Sequence, residues 1–487
     1  MKSQFTYGIL SIIAAILHQF SLYPLFMMSN IIPFMISYLY HKQKELYKES
    51  SLTQNDGYFI HPIMSLTMSI CCFFGGITEH YLGPRIVIAL GGILIFIGDI
   101  LFTISKSLIF DFFINIFFGI GFAISMTAAV KNASKYFPNK RGLINALAGG
   151  LGGNLGSSFF NFVIKLFVSK GDFPDHNDND MYKMSTAENY KIFFYIHGGV
   201  VLGNGIIASL LLVPFKKQDK KNKIQNLNNS TDKKNEENNN NEEYKENSNE
   251  NNNDNNNYKS GLKIILTHRR IYQLLLIFLF TSFLQGFIFT VGFNYGTMDH
   301  GSENIIGGDD MSIIFTLTSL ITSVTGTLFG IFYDKFGFKY AIIIIDILSA
   351  INGFLISITV KLGSIFYGIS IILNGCLNGG AFSMIFPYVS KIYGFNYGGE
   401  LYGFVVLSTG ISSMISASTY YIISHLSESD NNKDKTYLII FIIGSILNIM
   451  VIILALFEKN EPFLFEEKDK KDNKLLESDK KEENADH

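Results

Sequence analysis

The chain contains two related copies of one short stretch. The later copy is Gly330-Ile-Phe-Tyr-Asp-Lys-Phe-Gly337-Phe-Lys339, and the earlier copy is Gly76-Ile-Thr-Glu-His-Tyr-Leu-Gly83-Pro-Arg85. Each copy closes one long apolar run and opens the next, so we expect a tight turn at a membrane surface with a cation at its end. Internal repeats flanked by apolar helices are typical of secondary transporters, which work by moving one half against the other. The repeat therefore predicts a duplicated membrane protein and disfavours an enzyme.

The composition agrees with a membrane protein. Hydrophobic residues make up 48% of the 487 residues, Phe alone accounts for 45, and the charges are concentrated in a few loops. A soluble chain of this length would spread its charges over its surface, so we predict a polytopic helical membrane protein. The net charge of -2 does not indicate nucleic acid as a partner. The three cysteines, Cys71, Cys72 and Cys376, all lie in apolar runs, which fits small buried side chains better than disulfides or a metal site.

Twelve apolar runs predict twelve transmembrane helices, because each is close to the ~20 residues that a helix needs to cross ~30 Å of hydrocarbon. They cover residues 5–29, 58–80, 84–105, 108–132, 143–168, 190–214, 270–296, 309–333, 339–360, 363–391, 400–425 and 436–457. The predicted fold class is an all-α membrane protein. The first run is longer than the ~7–15 apolar residues of a secretory signal, so we expect a retained helix. An amphipathic piece from Ile31 to Tyr40 follows it, and we expect that piece to cap the outer mouth.

A polar insert divides the twelve runs into two sets of six. Residues 216–262 are dominated by Asn, Lys and Glu, and they hold too little apolar surface to offset the entropy lost on ordering. We predict an N-terminal six-helix bundle over residues 1–215, a disordered cytosolic linker over 216–262, a C-terminal six-helix bundle over 263–457 and a disordered charged cytosolic tail over 458–487.

Lys and Arg predict the orientation of the chain in the membrane. If the N-terminus is cytosolic, the cytosolic loops carry Arg85, Lys135 and Lys216, whereas residues 297–308 on the other side contain no Lys or Arg. Two loops on that other side do carry lysines. We predict that both termini are cytosolic and that the protein lies in the plasma membrane, with an organelle membrane as the alternative.

The repeated stretch resembles the signature of the major facilitator superfamily, Gly-x-x-x-Asp-Arg/Lys-x-Gly-x-Arg/Lys, found between its second and third helices and echoed between the eighth and ninth. The second copy matches at every motif position, with Gly330, Asp334, Lys335, Gly337 and Lys339. We expect Asp334 to lie near a cation or a helix N-terminus. The two lysines should face anionic headgroups and helix C-terminal carbonyls.

The first copy departs from this pattern. It keeps Gly76, Gly83 and Arg85, but His80 stands where Asp is usual, and Glu79 lies one residue away. We expect both turns to act as conformational gates and the first turn to be held differently from the second.

A second pair of segments resembles oxalate/formate antiporter-like and monocarboxylate-transporter-like carriers of that superfamily. It begins at Lys135-Tyr-Phe-Pro-Asn-Lys-Arg-Gly142, and its partner begins at Phe386-Pro-Tyr-Val-Ser-Lys391. The resemblance implies the major facilitator fold, with two pseudo-symmetric bundles of six helices and transport by alternating access. It also implies a small organic anion as substrate, such as lactate, pyruvate or formate, moved with protons or in exchange for another anion.

The basic residues that these families often place on the eighth and eleventh helices are missing from this sequence. Neither the run from Met311 to Gly326 nor the run from Tyr402 to Ser418 contains Lys or Arg. A dicarboxylate is therefore disfavoured, and a monocarboxylate needs its counter-charge from elsewhere. A major facilitator carrier of a neutral or zwitterionic nutrient is the alternative. A membrane receptor or scaffold without transport is a third interpretation.

Polar residues inside the apolar runs are candidates for the substrate or proton pathway, because a charge in lipid costs at least ~2.5–3.5 kcal/mol. Histidine titrates near neutral pH, so His18 in the first run suits a proton-coupling group. The alternative is a neutral His18 that bonds to a neighbouring helix. In the fifth run Asn154, Asn161 and Lys165 share one face. Lys165 could attract an anion or, alternatively, extend to the membrane surface.

Four amides lie in the seventh and tenth runs. The resemblance places the first, fourth, seventh and tenth helices around the cavity, so the candidate substrate contacts there are Gln285, Asn294, Asn374 and Asn378. Hydrogen bonding between helices is the alternative role for these amides. The two carboxylates that lie more than one turn inside an apolar run, Asp99 and Asp346, fall on the third and ninth helices, which the resemblance places at the periphery.

The sequence contains no nucleotide-binding loop and no catalytic or metal-binding constellation, so we predict no enzyme, no catalytic residue and no cofactor. The expected partners are a small-molecule substrate, protons if transport is coupled to them, and the lipid bilayer, without nucleic acid. A monomer is compatible with the sequence, which leaves the oligomeric state open.

Overall fold

The computed structural model describes residues 2–23, 28–48, 50–137, 141–170, 172, 174, 181–215, 266–297, 306–393, 398–426 and 433–458. The predicted linker and the predicted tail beyond Glu458 lie outside these ranges. The chain divides into two compact units, one of residues 1–213 with 274–487 and one of residues 214–273. In the second unit the structure describes Pro214, Phe215 and residues 266–273, where a helix begins. The helices and the site described below belong to the first unit, apart from the start of one helix.

Twelve of the described helices are long and apolar enough to cross a membrane. They are numbered here in chain order: α1 Lys2–Leu22, α2 Ile60–Leu82, α3 Pro84–Ile104, α4 Leu108–Tyr136, α5 in the successive pieces Arg141–Asn145, Ala146–Gly153, Asn154–Val163 and Ile164–Ser169, α6 Tyr190–Leu211, α7 Arg269–Thr297, α8 Gly308–Phe336, α9 Phe338–Thr359, α10 Ser364–Tyr393, α11 Gly398–Leu426 and α12 Lys433–Leu456. No β-strand occurs among the described residues. The predicted all-α membrane fold class is confirmed, whereas the predicted domain bounds stay predictions.

A separate helix, Met28–Tyr47, connects α1 to α2 and is called the connecting helix. The prediction of one continuous helix over residues 5–29 is wrong at its end, since α1 stops at Leu22. Pro24 follows closely in the sequence, and proline disfavours helical backbone in the residue before it. The connecting helix covers the predicted amphipathic piece, and its side chains from Asn30 to Tyr40 are all buried. Its capping of the mouth stays a prediction.

Two pieces of α5, Ala146–Gly153 and Ile164–Ser169, are π-helical rather than α-helical. The first is the glycine-rich run of the sequence, and glycine lowers the preference for α-helix. One later glycine of α5 lies directly against α1, because a Cβ on Gly156 would stand 1.9 Å from the carbonyl oxygen of Phe20. α5 therefore approaches α1 as closely as two backbones allow.

The two repeated stretches form equivalent turns, as predicted. Gly83 ends α2 with φ of 77° and Gly337 ends α8 with φ of 85°, a region that side-chain-bearing residues rarely adopt. In each turn the glycine N–H donates to a carbonyl four residues earlier, of Glu79 at 2.9 Å and of Tyr333 at 2.8 Å. The glycine at this motif position is therefore required by the backbone itself.

Helices of the first six and of the last six pack directly on one another. α2 lies along α11, and α5 lies along α8. α3 packs on α4 and α6, and α9 packs on α12. The outward faces carry exposed Ile and Leu side chains, such as Leu210 and Ile365, each 74% exposed, as lipid contact requires. This packing leaves a central cavity between the two sets.

Candidate functional site

A central cavity of about 1220 Å³ of atom-free space lies between the two sets of six helices. Its described lining comes from α2, α5, α7, α8, α10 and α11, together with Met126 of α4 and Tyr23 just beyond α1. The resemblance implied that α1, α4, α7 and α10 line the cavity, and the structure adds α2, α5, α8 and α11 to this lining. The polar lining consists of Tyr23, His61, Ser65, Asn145, Asn154, Ser157, Ser282, Thr318, Ser319, Thr322, Asn378, Ser383, Tyr402, Thr409 and Ser413.

The cavity wall combines apolar surface with uncharged polar groups. Among the described residues that line it there is no Asp, Glu, Lys or Arg. Hydroxyls and carboxamides supply its hydrogen-bonding groups, and Phe289 and Phe382 supply apolar ring surface. This lining can bind a polar solute through donors and acceptors without offering a permanent counter-charge.

Two of the predicted site residues line the cavity. Asn154 on α5 donates from Nδ2 to the carbonyl of Gly150 at 2.7 Å, which leaves its Oδ1 as an acceptor. Asn378 on α10 lies on the opposite set of helices and is half-buried. The cavity therefore brings one carboxamide from each set of six helices together.

The other predicted site residues lie away from the cavity lining. Asn161 accepts from Nδ2 of Asn30 in the connecting helix at 2.8 Å. Gln285 donates to Ser349 Oγ on α9 at 3.3 Å, and Asn374 Nδ2 lies 3.5 Å from the carbonyl oxygen of Gln285. These three contacts fit the alternative role of bonding between structural elements.

The last three predicted candidates make no described contact with the cavity. Lys165 and Asn294 are half-buried near the helix ends. His18 is 1% exposed, and neither ring nitrogen has a hydrogen-bond partner among the described residues. Proton coupling through His18 stays a prediction.

His61 is a cavity residue that the sequence reading missed. It lies on α2, is 5% exposed, and its Nδ1 is 3.3 Å from Thr290 Oγ1 on α7. The Thr290 hydroxyl donates to the Gly286 carbonyl at 2.9 Å, so Nδ1 of His61 must donate to Thr290. Nε2 then carries the lone pair and has no described partner. The available signal was a histidine inside the second apolar run.

The first repeated turn, from Gly76 to Arg85, holds a buried charge cluster. Glu79, 4% exposed, lies between Lys131 Nζ at 3.1 Å and Lys135 Nζ at 3.3 Å, both from α4. Arg85 Nε donates to the carbonyl of Leu212 at 2.7 Å, just beyond the end of α6. Gly76 is buried, and the side chain of His80 lies outside what the structure describes. Glu79 thus takes the place of the missing Asp.

The second repeated turn, from Gly330 to Lys339, also contacts the end of a helix through its last cation, and its acid is more exposed. Lys339 Nζ donates to the carbonyl of Leu456 at the end of α12 at 2.7 Å, as Arg85 does at the end of α6. Asp334 is exposed, and Lys391 on α10 is the cation that acts on it electrostatically. Lys335 lies 5.3 Å from the ring centroid of Phe336. Lys339 thus meets the C-terminus of a helix, and the charge of Lys391 acts on Asp334 without a described ion pair between them.

A buried acid–histidine pair lies outside the cavity. Asp99 on α3 and His197 on α6 are both 0% exposed, and His197 Nδ1 is 2.9 Å from each carboxylate oxygen. The sequence reading named Asp99 but not its partner. Asp346 on α9 has a different partner, since the hydroxyl of Thr281 on α7 donates to it at 3.0 Å.

The comparisons with known proteins agree with this architecture. A family model described as the Major Facilitator Superfamily matches residues 21–417, which is most of the chain. This chain belongs to the major facilitator superfamily. A solved structure of similar fold, with a TM-score of 0.62, is that of the major facilitator proton:xylose symporter XylE bound to 6-bromo-6-deoxy-D-glucose. It shares 14% identity, and the match covers 93% of this chain and 94% of that one. A search of curated proteins finds no match.

Membership of the major facilitator superfamily confirms several predictions at a coarse level. The chain is an integral multi-pass membrane protein of a superfamily of transporters for small molecules, whose members are generally not enzymes. The likeness to monocarboxylate carriers, the membrane in which the protein resides and the orientation of its termini stay predictions.

Proposed function

We propose that this major facilitator protein is a secondary transporter for a neutral solute rich in hydroxyl groups, of the size of a sugar or polyol. The observation that carries the proposal is the uncharged cavity lining, with hydroxyls and carboxamides on both sets of helices. Carboxamides such as Asn154 and Asn378 offer both donors and acceptors, which match the mixed donor and acceptor character of hydroxyl groups.

The energetic argument disfavours an ion in this cavity. Moving an ionised carboxylate out of water without a counter-charge is far more costly than moving a hydroxyl that finds a hydrogen-bond partner. A neutral solute exchanges its bonds to water for bonds to the wall, and Phe289 and Phe382 can pack against its C–H faces. The fold of a proton:xylose symporter is compatible with such a substrate.

A small monocarboxylate is the second candidate, and His61 favours it. A protonated His61 would place a positive charge in the cavity wall and supply the counter-charge that the rest of the described lining does not. This candidate keeps the substrate class that the resemblance implied, and it requires a proton to enter with the anion.

Uptake into proteoliposomes distinguishes the two candidates. We expect labelled pentoses, hexoses or polyols from a small panel to enter, and lactate, pyruvate and formate to be excluded with or without a proton gradient. Entry of the acids and exclusion of the neutral solutes would overturn the proposal in favour of the second candidate. Exclusion of every panel member would also count against it.

Two predicted amides give a matched test of the cavity. Asn378→Ala removes a carboxamide from the wall, and we expect KM for the transported solute to rise roughly 5–30-fold, the loss of about 1–2 kcal/mol. Asn294→Ala removes the same group outside the lining, and we expect KM to stay within about twofold of the parent value. An equal effect of both changes on KM would mean that the solute does not bind in this cavity.

A further inference from the structure

The buried pair of Asp99 and His197 joins three helices. His197 Nδ1 lies 2.9 Å from both oxygens of Asp99, and His197 Nε2 lies 3.1 Å from the carbonyl oxygen of Ser21 in α1. Asn204, two turns further along α6, donates to the Ser21 hydroxyl at 2.7 Å. The imidazole therefore bridges α3 and α1 from its position on α6.

The Ser21 carbonyl determines how many protons the pair holds. A carbonyl only accepts, so Nε2 of His197 must carry a hydrogen. The contact between Nδ1 and the carboxylate then needs a second proton, either on Nδ1 or on Asp99. Both arrangements give the pair zero net charge, which suits a site with no exposed atoms.

Loss of the Ser21 contact would release one of these protons. Without an acceptor at Nε2, a neutral His197 can keep its single hydrogen on Nδ1 and donate it to an ionised Asp99. One proton leaves to water, and the charge of the pair changes from zero to -1. The number of protons that Asp99 and His197 hold therefore depends on the position of α1.

The end of α1 also belongs to the wall of the cavity. Tyr23, two residues after Ser21, lines the cavity and packs against α5, where a Cβ on Gly153 would lie 2.4 Å from its ring. A movement of α1 that accompanies a change at Tyr23 also moves the Ser21 carbonyl. The cavity and the acid–histidine pair thus both contact the end of α1.

Two aromatic rings pack against the imidazole of the pair. The His197 ring stacks on Phe193 with centroids 5.7 Å apart and meets Phe160 edge-on at 5.1 Å. His197 is the titratable group that acts on Asp99 in the part of the chain that the structure describes. The helices around the pair carry further titratable side chains at His18, Tyr23, Asp111, Lys165, Tyr190 and Tyr195.

We propose that Asp99 and His197 form a proton-binding site that couples transport to a proton gradient through α1. Its proton is bound while the Ser21 carbonyl meets Nε2 and is released when α1 moves away. The coupling rests on the proposed transport function, but the binding of the proton does not.

Proton binding is tested on the purified full chain without any solute. Potentiometric titration of the parent protein and of the double variant Asp99→Asn with His197→Gln, which leaves neither group able to titrate, should differ by one proton per chain over about pH 5–8, where histidine charge changes. Parallel curves would overturn the proposal. Should the double variant fail to fold, the NMR signals of the His197 imidazole in the parent protein are followed over the same pH range, and signals that do not change with pH would overturn the proposal.

Coupling is tested in proteoliposomes with whichever panel solute enters. Asp99→Asn and His197→Gln should lose accumulation driven by a proton gradient and keep counterflow within about twofold, because counterflow needs no net proton movement. Asp346→Asn, which removes a buried carboxyl that has no histidine partner among the described residues, should keep both. Retained accumulation in Asp99→Asn, or equal loss of counterflow, would overturn the proposal.

His18→Ala tests the competing hypothesis that His18 is the proton-coupling group. If the loss of accumulation follows His18→Ala instead of Asp99→Asn, the proton site is the sequence-predicted histidine and the proposal is wrong. If no panel solute enters, the proposed function fails, while the titration still decides whether the pair binds a proton.

Discussion

At the scale of single residues, Glu79 shows that the first repeated turn forms an ion pair despite its altered motif. The carboxylate lies one position before the usual Asp, yet it is buried between Lys131 and Lys135. Asp334 in the second turn sits at the usual position and is exposed. The shift by one residue therefore moves the acid from the surface into the contact between α2 and α4.

Glu79→Gln should destabilise the protein far more than the equivalent change in the second turn. Removing Glu79 leaves two lysines facing each other, one of them buried, and breaking a buried ion pair in this way costs about 3–5 kcal/mol. Asp334→Asn should cost about 1 kcal/mol or less, because an exposed pair contributes little. Thermal unfolding of both variants in one detergent measures the difference. Equal losses of stability would contradict the assignment.

The same scale shows what the sequence could and could not predict about the site. Helical spacing placed Asn154 on a polar face, the resemblance placed Asn378 on a helix expected to line the cavity, and both residues line the cavity. Neither argument can tell whether a side chain meets the cavity or another helix, so Gln285 and Asn374 were named alongside them. His197 was missed because its partner Asp99 lies 98 positions away in the chain. A pair of this kind exists only after folding.

At the scale of helices, α2 and α11 come closest where α11 has no side chain. A Cβ on Gly403 would stand 2.4 Å from the carbonyl carbon of Cys72 and from the backbone nitrogen of Phe73. Both are backbone atoms, so they cannot move aside without moving α2. Small residues are the usual means by which membrane helices approach each other this closely.

Gly403→Ala should push α2 and α11 apart and slow transport. We expect the rate of solute uptake to fall about tenfold or more, together with a lower midpoint of thermal unfolding, because the added methyl overlaps backbone. Gly203→Ala on α6 is the matched control, since a Cβ there meets nothing within 4 Å. It should leave the rate within about twofold and add up to ~1 kcal/mol of helix preference. Similar uptake by both variants would disprove the close contact.

Helix number and approximate position followed from the apolar runs, whereas local irregularities did not. A run of apolar residues continues through Pro24 into the connecting helix, so hydropathy alone joined two helices into one. The structure also shows that one piece of α5, Ala146–Gly153, is π-helical. Such changes of winding depend on neighbouring helices, which hydropathy does not describe.

At the scale of the whole molecule, contacts between the two sets of helices occur at both ends of the cavity. At the end where α1 begins, Asn145 Nδ2 donates to the carbonyl of Ser383 at 3.1 Å. At the other end, the hydroxyls of Tyr58 and Tyr437 are 2.9 Å apart. Alternating access requires the contacts at one end to break while those at the other end persist.

Removing the hydroxyl of Tyr437 should favour opening at the Tyr58 end. The lost hydrogen bond is worth about 1 kcal/mol, so Tyr437→Phe should raise the population open at that end roughly fivefold. A cysteine placed in the cavity wall as Thr318→Cys reports this opening through its rate of reaction with a membrane-impermeant thiol reagent in sealed vesicles. The rate should rise only when the reagent is added on the side of the membrane nearest Tyr58.

Control variants distinguish opening at the Tyr58 end from a general loosening of the fold. Tyr58→Phe should act in the same direction as Tyr437→Phe, and the double variant should fall short of the sum of the two effects, because the two hydroxyls share one bond and both also bond to Tyr420. Tyr340→Phe removes a hydroxyl from a tyrosine that is 60% exposed, and it should leave the reaction rate unchanged. A faster reaction from both sides of the membrane would show that the change loosens the protein instead of opening one end. An unchanged rate in Tyr437→Phe would mean that the ring contacts of Tyr58 with Tyr420, at 4.9 Å, close this end without the hydroxyl pair.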